Sequence, residues 1–337
     1  MKRIVVTGVA LLLVLFLLPV LLVDGPENDD EDTQTYAFPT FPSPAQTDFL
    51  PAERDEPGKD DVTTLRVALE DGTVAEMTMA DYLWSVVAAE MPASFAPEAL
   101  KAQAITARTY AVWKMAVGDA DHPDADVCTD ITCCQAYMTD EQATAEWGAS
   151  AAVYRRKVQT AVDSTDGQLI TYGGEPIQAV FFSSAAGRTE DAVAVWGSDV
   201  PYLVGVDSPE GDGVPNYHTQ VTLTAAEVKN LLLAQYPGAD LSGSIKNWFQ
   251  NRTLTASGRV DTMDVGGITM KGTQIRALFG LRSACFAVET GGDTVTFHVT
   301  GYGHGVGMSQ YGANVMAKEG KTCEEILKWY YTGVKIG

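Results

Sequence analysis

Apolar residues fall at helical spacing between Asp81 and Ala116, and prolines interrupt the pattern. Leu83, Val86 and Val87 share one face by the i, i+3, i+4 rule, which predicts a helix over Ala80–Met91. Pro92 disfavours helical geometry at Met91, so that helix stops there. Glu90 lies seven residues after Leu83 and three after Val87, on the same apolar face and in the last turn. Ser94 is placed to cap a second helix with Pro97 and Glu98 in its first turn. Leu100, Ala104, Ala107 and Ala111 make a small-residue stripe along it, and Arg108 borders that stripe at about 80° from Leu100.

Elsewhere short alternating runs predict strands. LRVALEDGTVAEMTM reads as a hairpin around Asp71-Gly72, and the segment from Gly167 turns through Gly173-Gly174 into a strand ending at Ser183 and Ser184. Helices are expected at Glu141–Val162 and Ala225–Gln235. A hairpin and short helix follow in TASGRVDTMDVGGITMKGTQIRALFGL, and then a strand, a glycine-rich loop and a helix ending at Gly320. Thr322 and Glu325 form a capping box for the last helix. Residues about 205–265 are a candidate subdomain within a folded region of residues 62–337.

With 46% hydrophobic content over 337 residues, the chain has enough apolar material for a sizeable core in one large domain or two. A net charge of −21 argues against nucleic acid, since no basic surplus exists to displace counterions from phosphates. Residues 24–61 hold 12 acidic and 2 basic residues together with six prolines, the composition of a disordered, self-repelling linker. Before it, residues 4–23 form an uncharged run after Lys2 and Arg3. Twenty such residues at about 1.5 Å each cross a hydrocarbon core of roughly 30 Å. The basic flank stays in the cytoplasm, so the remainder is expected outside. A retained transmembrane anchor over residues 1–23 is favoured over a cleaved signal peptide, because LLPVLLVDGPEN offers no A-x-A site.

Glu90 is the sharpest chemical candidate. Apolar surroundings and a helix C-terminus both raise a carboxyl pKa, which suits a general acid near neutral pH. Arg108 either reaches a cleft beside it or covers a helix flank. His122, Cys128 and Cys134 follow at spacings of six and six, with Cys133 adjacent; imidazole and thiolates are zinc ligands, and a structural zinc pinning this loop is expected slightly ahead of a disulfide. Ser183 and Ser184 suit a hydroxyl-lined sugar subsite or an ordinary strand end. The G-x-S-x-G elbow of a serine nucleophile is absent. The loop with glycines at 301, 303, 305 and 307 lacks the lysine of a phosphate loop and the acid of a dinucleotide site. Such glycines let backbone approach something closely, with His304 and Gln310 directed at it, although His304 reads equally as a packed loop residue.

These pieces, taken in order, resemble the stage II sporulation protein D family of peptidoglycan lytic transglycosylases from spore-forming bacteria. The resemblance rests on AAEMPASFAPEALKAQAITARTYA, CTDITCCQAYMTD, VFFSSAAGRTEDAVAVWGSDVPYLVGVDSP, SGRV with GTQIRALFGLRS, and GYGHGVGMSQYGANVMAKEGKTCEEILKWYYTG. It implies an α+β fold of curved antiparallel sheets with packed helices. It implies that Glu90, in the E-x-P segment, is the catalytic acid, and that Arg108 and Tyr202 hold the glycan. The family's serine-threonine-serine-glycine-glycine-like run reads SSAAG here, which leaves contacts from residues 185 and 186 open. The implied activity is cleavage of N-acetylmuramic acid–N-acetylglucosamine strands, stripped of stem peptides, during forespore engulfment. The implied partners are the sporulation amidase P and membrane protein M, and the implied location is the mother-cell membrane facing the intermembrane space. Relatives described as amidase enhancers keep a non-catalytic glycan-binding role open. Asp191 and Asp207 remain candidates for the second carboxylate that a lysozyme-like hydrolase needs.

Overall fold

The computed structural model describes residues 56–118 and 122–337. The expected anchor and residues 24–55 of the expected linker lie outside the described residues; among those described, no helix is long and apolar enough to cross a membrane. The elements in the first part of the chain are α1 (Lys59–Val62), β1 (Thr64–Ala68), β2 (Val74–Thr78), α2 (Met79–Glu90), α3 (Pro97–Val117), β3 (Val127–Cys128), α4 (Asp140–Trp147) and α5 (Ala151–Asp163). Next come β4 (Ile170–Tyr172), β5 (Glu175–Pro176), β6 (Phe181–Phe182), α6 (Ala192–Trp196), β7 (His218–Thr224), α7 (Ala225–Gln235) and β8 (Phe249–Gln250). The chain closes with β9 (Thr262–Val265), β10 (Ile268–Lys271), α8 (Gly272–Leu278), β11 (Phe286–Gly291), β12 (Thr294–Thr300), β13 (Met308–Ser309), α9 (Gln310–Lys318), α10 (Cys323–Tyr330) and β14 (Lys335–Ile336).

The architecture is α+β, with packed helices and several small, mainly antiparallel sheets. Two pairings depart from the antiparallel expectation: β1 with β3, and β6 with β13, run parallel. The β1–β2 hairpin turns at Gly72, whose φ of 83° is costly for a residue with a Cβ.

Helix α2 begins at Thr78, whose hydroxyl accepts the Asp81 N–H, and ends at Met91, held extended before Pro92. It is buried on more than one face: Tyr82, Leu83, Val86 and Val87 are fully covered, and Trp84, Ser85 and Ala88 nearly so. Helix α3 is the central post. Leu100, Ala104, Ala107 and Ala111 are completely buried, and their small side chains let α2, α5, α9 and α10 pack closely around it. Its N-cap is Ala96 rather than Ser94; Pro97 occupies N1, and Asn314 of α9 accepts the Ala96 N–H at 2.9 Å. The single helix expected over Glu141–Val162 is broken at Gly148, which adopts φ 51°, into α4 and α5.

The fold starts earlier than the composition suggests. Residues 59–62, assigned by charge and proline content almost wholly to the linker, form α1, and Asp166 caps it by accepting the N–H groups of Lys59 and Asp60 at 2.9 and 2.8 Å. Asp60 is 5% exposed.

A second core gathers residues from Val221 to Val299, built on the sheet β11–β12–β7, the sheet β10–β9–β8, and helices α7 and α8. Phe249, Phe279 and Phe286 pack around Phe297. This region runs well past the candidate subdomain of 205–265, because β12 returns to pair with β7 (Thr294 opposite Thr224) and carries the last hairpin with it.

Candidate functional site

Glu90 ends α2, half-buried where the chain turns toward α3. Its Oε1 accepts the Ala136 N–H at 2.7 Å, and its backbone carbonyl accepts the Gln310 side-chain amide at 2.9 Å. The same Gln310 nitrogen lies 3.4 Å from Oε1 of Gln103, a fully buried residue of α3. Burial pushes the Glu90 carboxyl above its usual range, and the Ala136 N–H and the Gln310 amide pull it only part of the way back. The other carboxylates considered for this site are engaged elsewhere: Asp191 accepts the Gly205 N–H at 2.9 Å, and Asp207 pairs with Arg188 at 2.7 Å. A carboxyl whose proton is favoured by desolvation can donate it, and can take one back once the charge forms.

The loop that touches Glu90 is the cysteine loop. Donor atoms of His122, Cys128 and Cys133 lie within 4.8 Å of one another, and the sulfur of Cys134 is 3.6 Å from that of Cys133. The tightest triad therefore contains Cys133 where the spacing suggested Cys134, because residues 130–134 turn back and bring the vicinal pair to one end of β3. One imidazole with two or three thiols is a soft donor set that fits zinc. Burial raises the thiols of Cys128 and Cys134, and no disulfide forms among the described residues. Tyr110 donates to the Cys133 carbonyl at 3.1 Å and Tyr82 to the Gln135 side chain at 3.0 Å, so this segment is anchored on α2 and α3 just before it reaches Glu90.

Arg108 does not face Glu90. It is 1% exposed and paired with Asp60, Nε to Oδ2 at 2.9 Å and Nη2 to Oδ2 at 2.6 Å, with Nη1 donating to the Gln168 carbonyl at 3.3 Å. The expectation that it contacts glycan is corrected: its partner was hidden in a stretch that reads as linker, and the pair is sealed inside.

Ser184 is buried and exchanges two backbone hydrogen bonds with Tyr302. Half-buried Ser183 accepts at its carbonyl from the Tyr311 N–H, which sets the strand end beside the start of α9. Tyr202 accepts the Gln178 N–H at 3.1 Å and packs its ring 5.6 Å from that of Tyr172. His304 has both ring nitrogens in use: Nδ1 accepts the Val306 N–H at 3.1 Å, so Nε2 carries the proton and donates to the Phe181 carbonyl at 2.9 Å. Burial, with Arg276 and Arg259 nearby, lowers its pKa to about 4, so it is the packed, neutral loop histidine. Of the proposed set, the structure brings Gln310 to Glu90 directly.

Two residues at the site were not foreseen. Gln103 was legible as a polar residue inside the alanine stripe of α3. Glu210, in the turn-rich VDSPEGDG, carried no signal; it is 5% exposed, accepts the Ala185 N–H at 2.6 Å and the Ser208 hydroxyl at 2.5 Å, and also binds Ser309, the N-cap of α9. Glu210 thereby fixes the helix start that presents Gln310. Two clefts, about 730 Å³ beside Trp84, Tyr137 and Arg155 and about 580 Å³ beside Trp329, are not lined by Glu90. The first borders the segment that bonds to Glu90, because Tyr137 follows Ala136.

Comparison with known proteins matches residues 70–172, the span holding α2, α3 and the cysteine loop, to the family described as Stage II sporulation protein. Stage II sporulation protein D of Bacillus subtilis (strain 168) is 38% identical over 342 residues, covering 100% of this chain and 96% of that protein. The protein of the same name from Bacillus amyloliquefaciens is 41% identical over 265 residues, 78% of this chain and 75% of that one. The amidase enhancer of Bacillus subtilis (strain 168) is 28% identical over 306 residues, 75% of this chain and 40% of that protein. On this likeness, extending from end to end, the chain belongs to the stage II sporulation protein D family.

Proposed function

We propose that this protein is a lytic transglycosylase of peptidoglycan glycan strands, with Glu90 as its one acid–base. The observation that carries the reading is a half-buried carboxyl with a raised pKa, which accepts the Ala136 N–H while the Gln310 amide donates to the backbone carbonyl of the same residue. Glu90 in its acid form gives its proton to the glycosidic oxygen as that bond breaks. The carboxylate left behind takes the proton of the muramic acid C6 hydroxyl as that oxygen attacks the anomeric carbon. The products are a 1,6-anhydro end and a free 4-hydroxyl, and Glu90 is again protonated. Hydrolysis by the usual two-carboxylate scheme needs a partner acid, and the engagement of Asp191 and Asp207 elsewhere weighs against it. An internal nucleophile also brings its own proximity advantage.

In this reading the protein acts on the cell wall during sporulation, anchored by residues 4–23 with its folded part on the outer face, in company with the amidase P and membrane protein M of that process. Zinc bound by His122, Cys128 and Cys133 or Cys134 would hold the cysteine loop in shape, leaving the chemistry to Glu90. The amidase-enhancer relative supports a second reading, in which the fold holds glycan for a partner amidase without cutting it. Incubating purified protein with strands stripped of peptide separates the readings. Anhydro ends support the proposal, reducing ends the hydrolase, and intact strands the binding module.

A further inference from the structure

The glycine-rich loop 301–307 meets three arginines of the second core. Arg282 lays its guanidinium over the ring of Tyr302, 3.9 Å from the centroid, and its carbonyl accepts the Gly303 N–H at 2.9 Å. Half-buried Arg276 donates through Nε to the Leu281 carbonyl at 3.3 Å and lies near Arg259 and Tyr302. Arg259 is 2% exposed, and all three of its guanidinium nitrogens are buried without a hydrogen-bond partner. It lies flat against the loop, where a Cβ at Gly305 would come within 2.5 Å of its Cζ, and over Phe182 at 6.0 Å. The Nε of Arg282 is likewise buried and unpartnered.

The nearby carboxylates, Glu190 and Glu210, counter the charge of Arg259 but take their hydrogen bonds from other groups. Glu190 accepts the hydroxyls of Thr255 and Ser257, both at 2.6 Å, and Glu210 holds Ala185, Ser208 and Ser309. His304 is neutral through its two hydrogen bonds. Arg259, and Arg282 through its Nε, therefore face the loop with donors unspent, in a chain whose net charge is −21. A buried guanidinium with unmatched N–H groups is unfavourable, and it is best answered by a planar carboxylate that accepts two N–H groups at once. The rings of Tyr302 and Trp196 are 43% and 44% exposed, and Trp196 lies 5.7 Å from His304. Exposed aromatic faces beside a guanidinium fork match an apolar sugar face that carries an acid.

We propose that Arg282 and Arg276, backed by Arg259, form a subsite beside Tyr302 and Trp196 for the free lactyl carboxylate of N-acetylmuramic acid. The subsite rests on the glycan reading above and deepens it. A strand that still bears stem peptides has a neutral amide at the lactyl carbon, which cannot supply the two-oxygen acceptor. A stripped strand has a carboxylate there. The loop runs through β13 into Gln310, so this recognition is joined to Glu90 by one continuous segment.

The test measures binding to the full-length Glu90→Gln protein in detergent, using stripped muramic acid–glucosamine oligosaccharides, the same oligosaccharides with lactyl groups converted to methylamides, and chitotetraose. The acid form should bind about tenfold more tightly than the methylamide, the worth of one charged hydrogen-bonded pair, and the difference should shrink in high salt. Arg282→Gln and Arg276→Gln should each remove most of the preference while leaving methylamide and chitotetraose binding unchanged; Arg282→Lys should keep part of it. Equal binding of acid and amide overturns the subsite, as does a preference that survives both glutamine substitutions, or a loss that is equal for all three sugars. Cleavage by the unsubstituted protein is scored separately. Anhydro ends without the preference would leave the transglycosylase standing and remove the subsite; the preference without cleavage would do the reverse.

Discussion

The end of α2 and the middle of α3 each carry an ionisable side chain in an apolar setting, and the two have opposite fates. Arg108 has Asp60 and the carbonyls of Gln168 and Val162, so its charge is answered and locked away. Glu90 has an N–H and a neutral amide but, among the described residues, no cation paired with it, so burial lifts its pKa. Neighbouring helices thus separate a paired charge from an unpaired carboxyl by a single criterion, the presence of a counter-ion. Burial alone does not distinguish them.

The largest test of that contrast is Glu90→Gln. Glutamine still accepts the Ala136 N–H but cannot carry the proton, and strand cleavage should fall by about 10²- to 10⁴-fold, scored by anhydro ends. Stability should move the other way. A carboxyl whose folded pKa is raised binds its proton more tightly when folded, so its stabilising contribution is lost as pH rises from the unfolded value through the folded one. Above that window the variant should melt no lower than the parent, and a melting series against pH checks the sign.

Arg108→Met should leave Asp60 buried and unpaired at a cost of about 3–5 kcal/mol, read by denaturant unfolding. Replacing both partners, Asp60→Leu with Arg108→Met, should recover most of the loss. Activity per folded molecule should stay near that of the parent in both; a specific loss of glycan affinity in the double variant would return Arg108 to the substrate site.

Elemental analysis should find about one zinc per chain, lost in His122→Ala. Stripping it should loosen residues 133–136 and lower both melting temperature and activity. A metal-free protein whose thiol count reveals a bridge would favour the disulfide.

The smallest effect is expected from Gln310→Leu. The Gln310 amide pulls the Glu90 pKa down, so its removal should move the alkaline limb of the pH–rate profile, along which the acid form is lost, upward. A downward shift would mean that the amide stabilises the protonated form instead.

Much of the local structure was legible in the residues. The Asp71-Gly72 hairpin, the proline stop after Glu90, α7 over Ala225–Gln235 and the Thr322–Glu325 capping box all follow from signals within a few positions. What escaped depends on distant partners. Nothing near Asp60 announces that Arg108, 48 residues on, will draw it into the interior, and net charge alone consigns it to a linker. The pairing of β12 with β7 joins residues 70 or more positions apart, so the second core had no visible far edge. Ser94 is a good cap by type, yet Asn314 from another helix supplies the acceptor at Ala96. At the site, Glu90 was legible because an acid on an oily face is anomalous in sequence as well as in structure. Glu210 was not, because an acid in a polar turn is ordinary until the chain closes over it.

Helix α1 has a mechanical consequence. Force arriving from residues before Lys59 meets the caps from Asp166 and then the sealed Asp60–Arg108 pair, which transfers it to the middle of α3, the post on which the other helices lean. The load enters at the central helix and also at α2, against which α1 packs. A pull on the chain is therefore met by a buried ion pair before it is shared between those two helices.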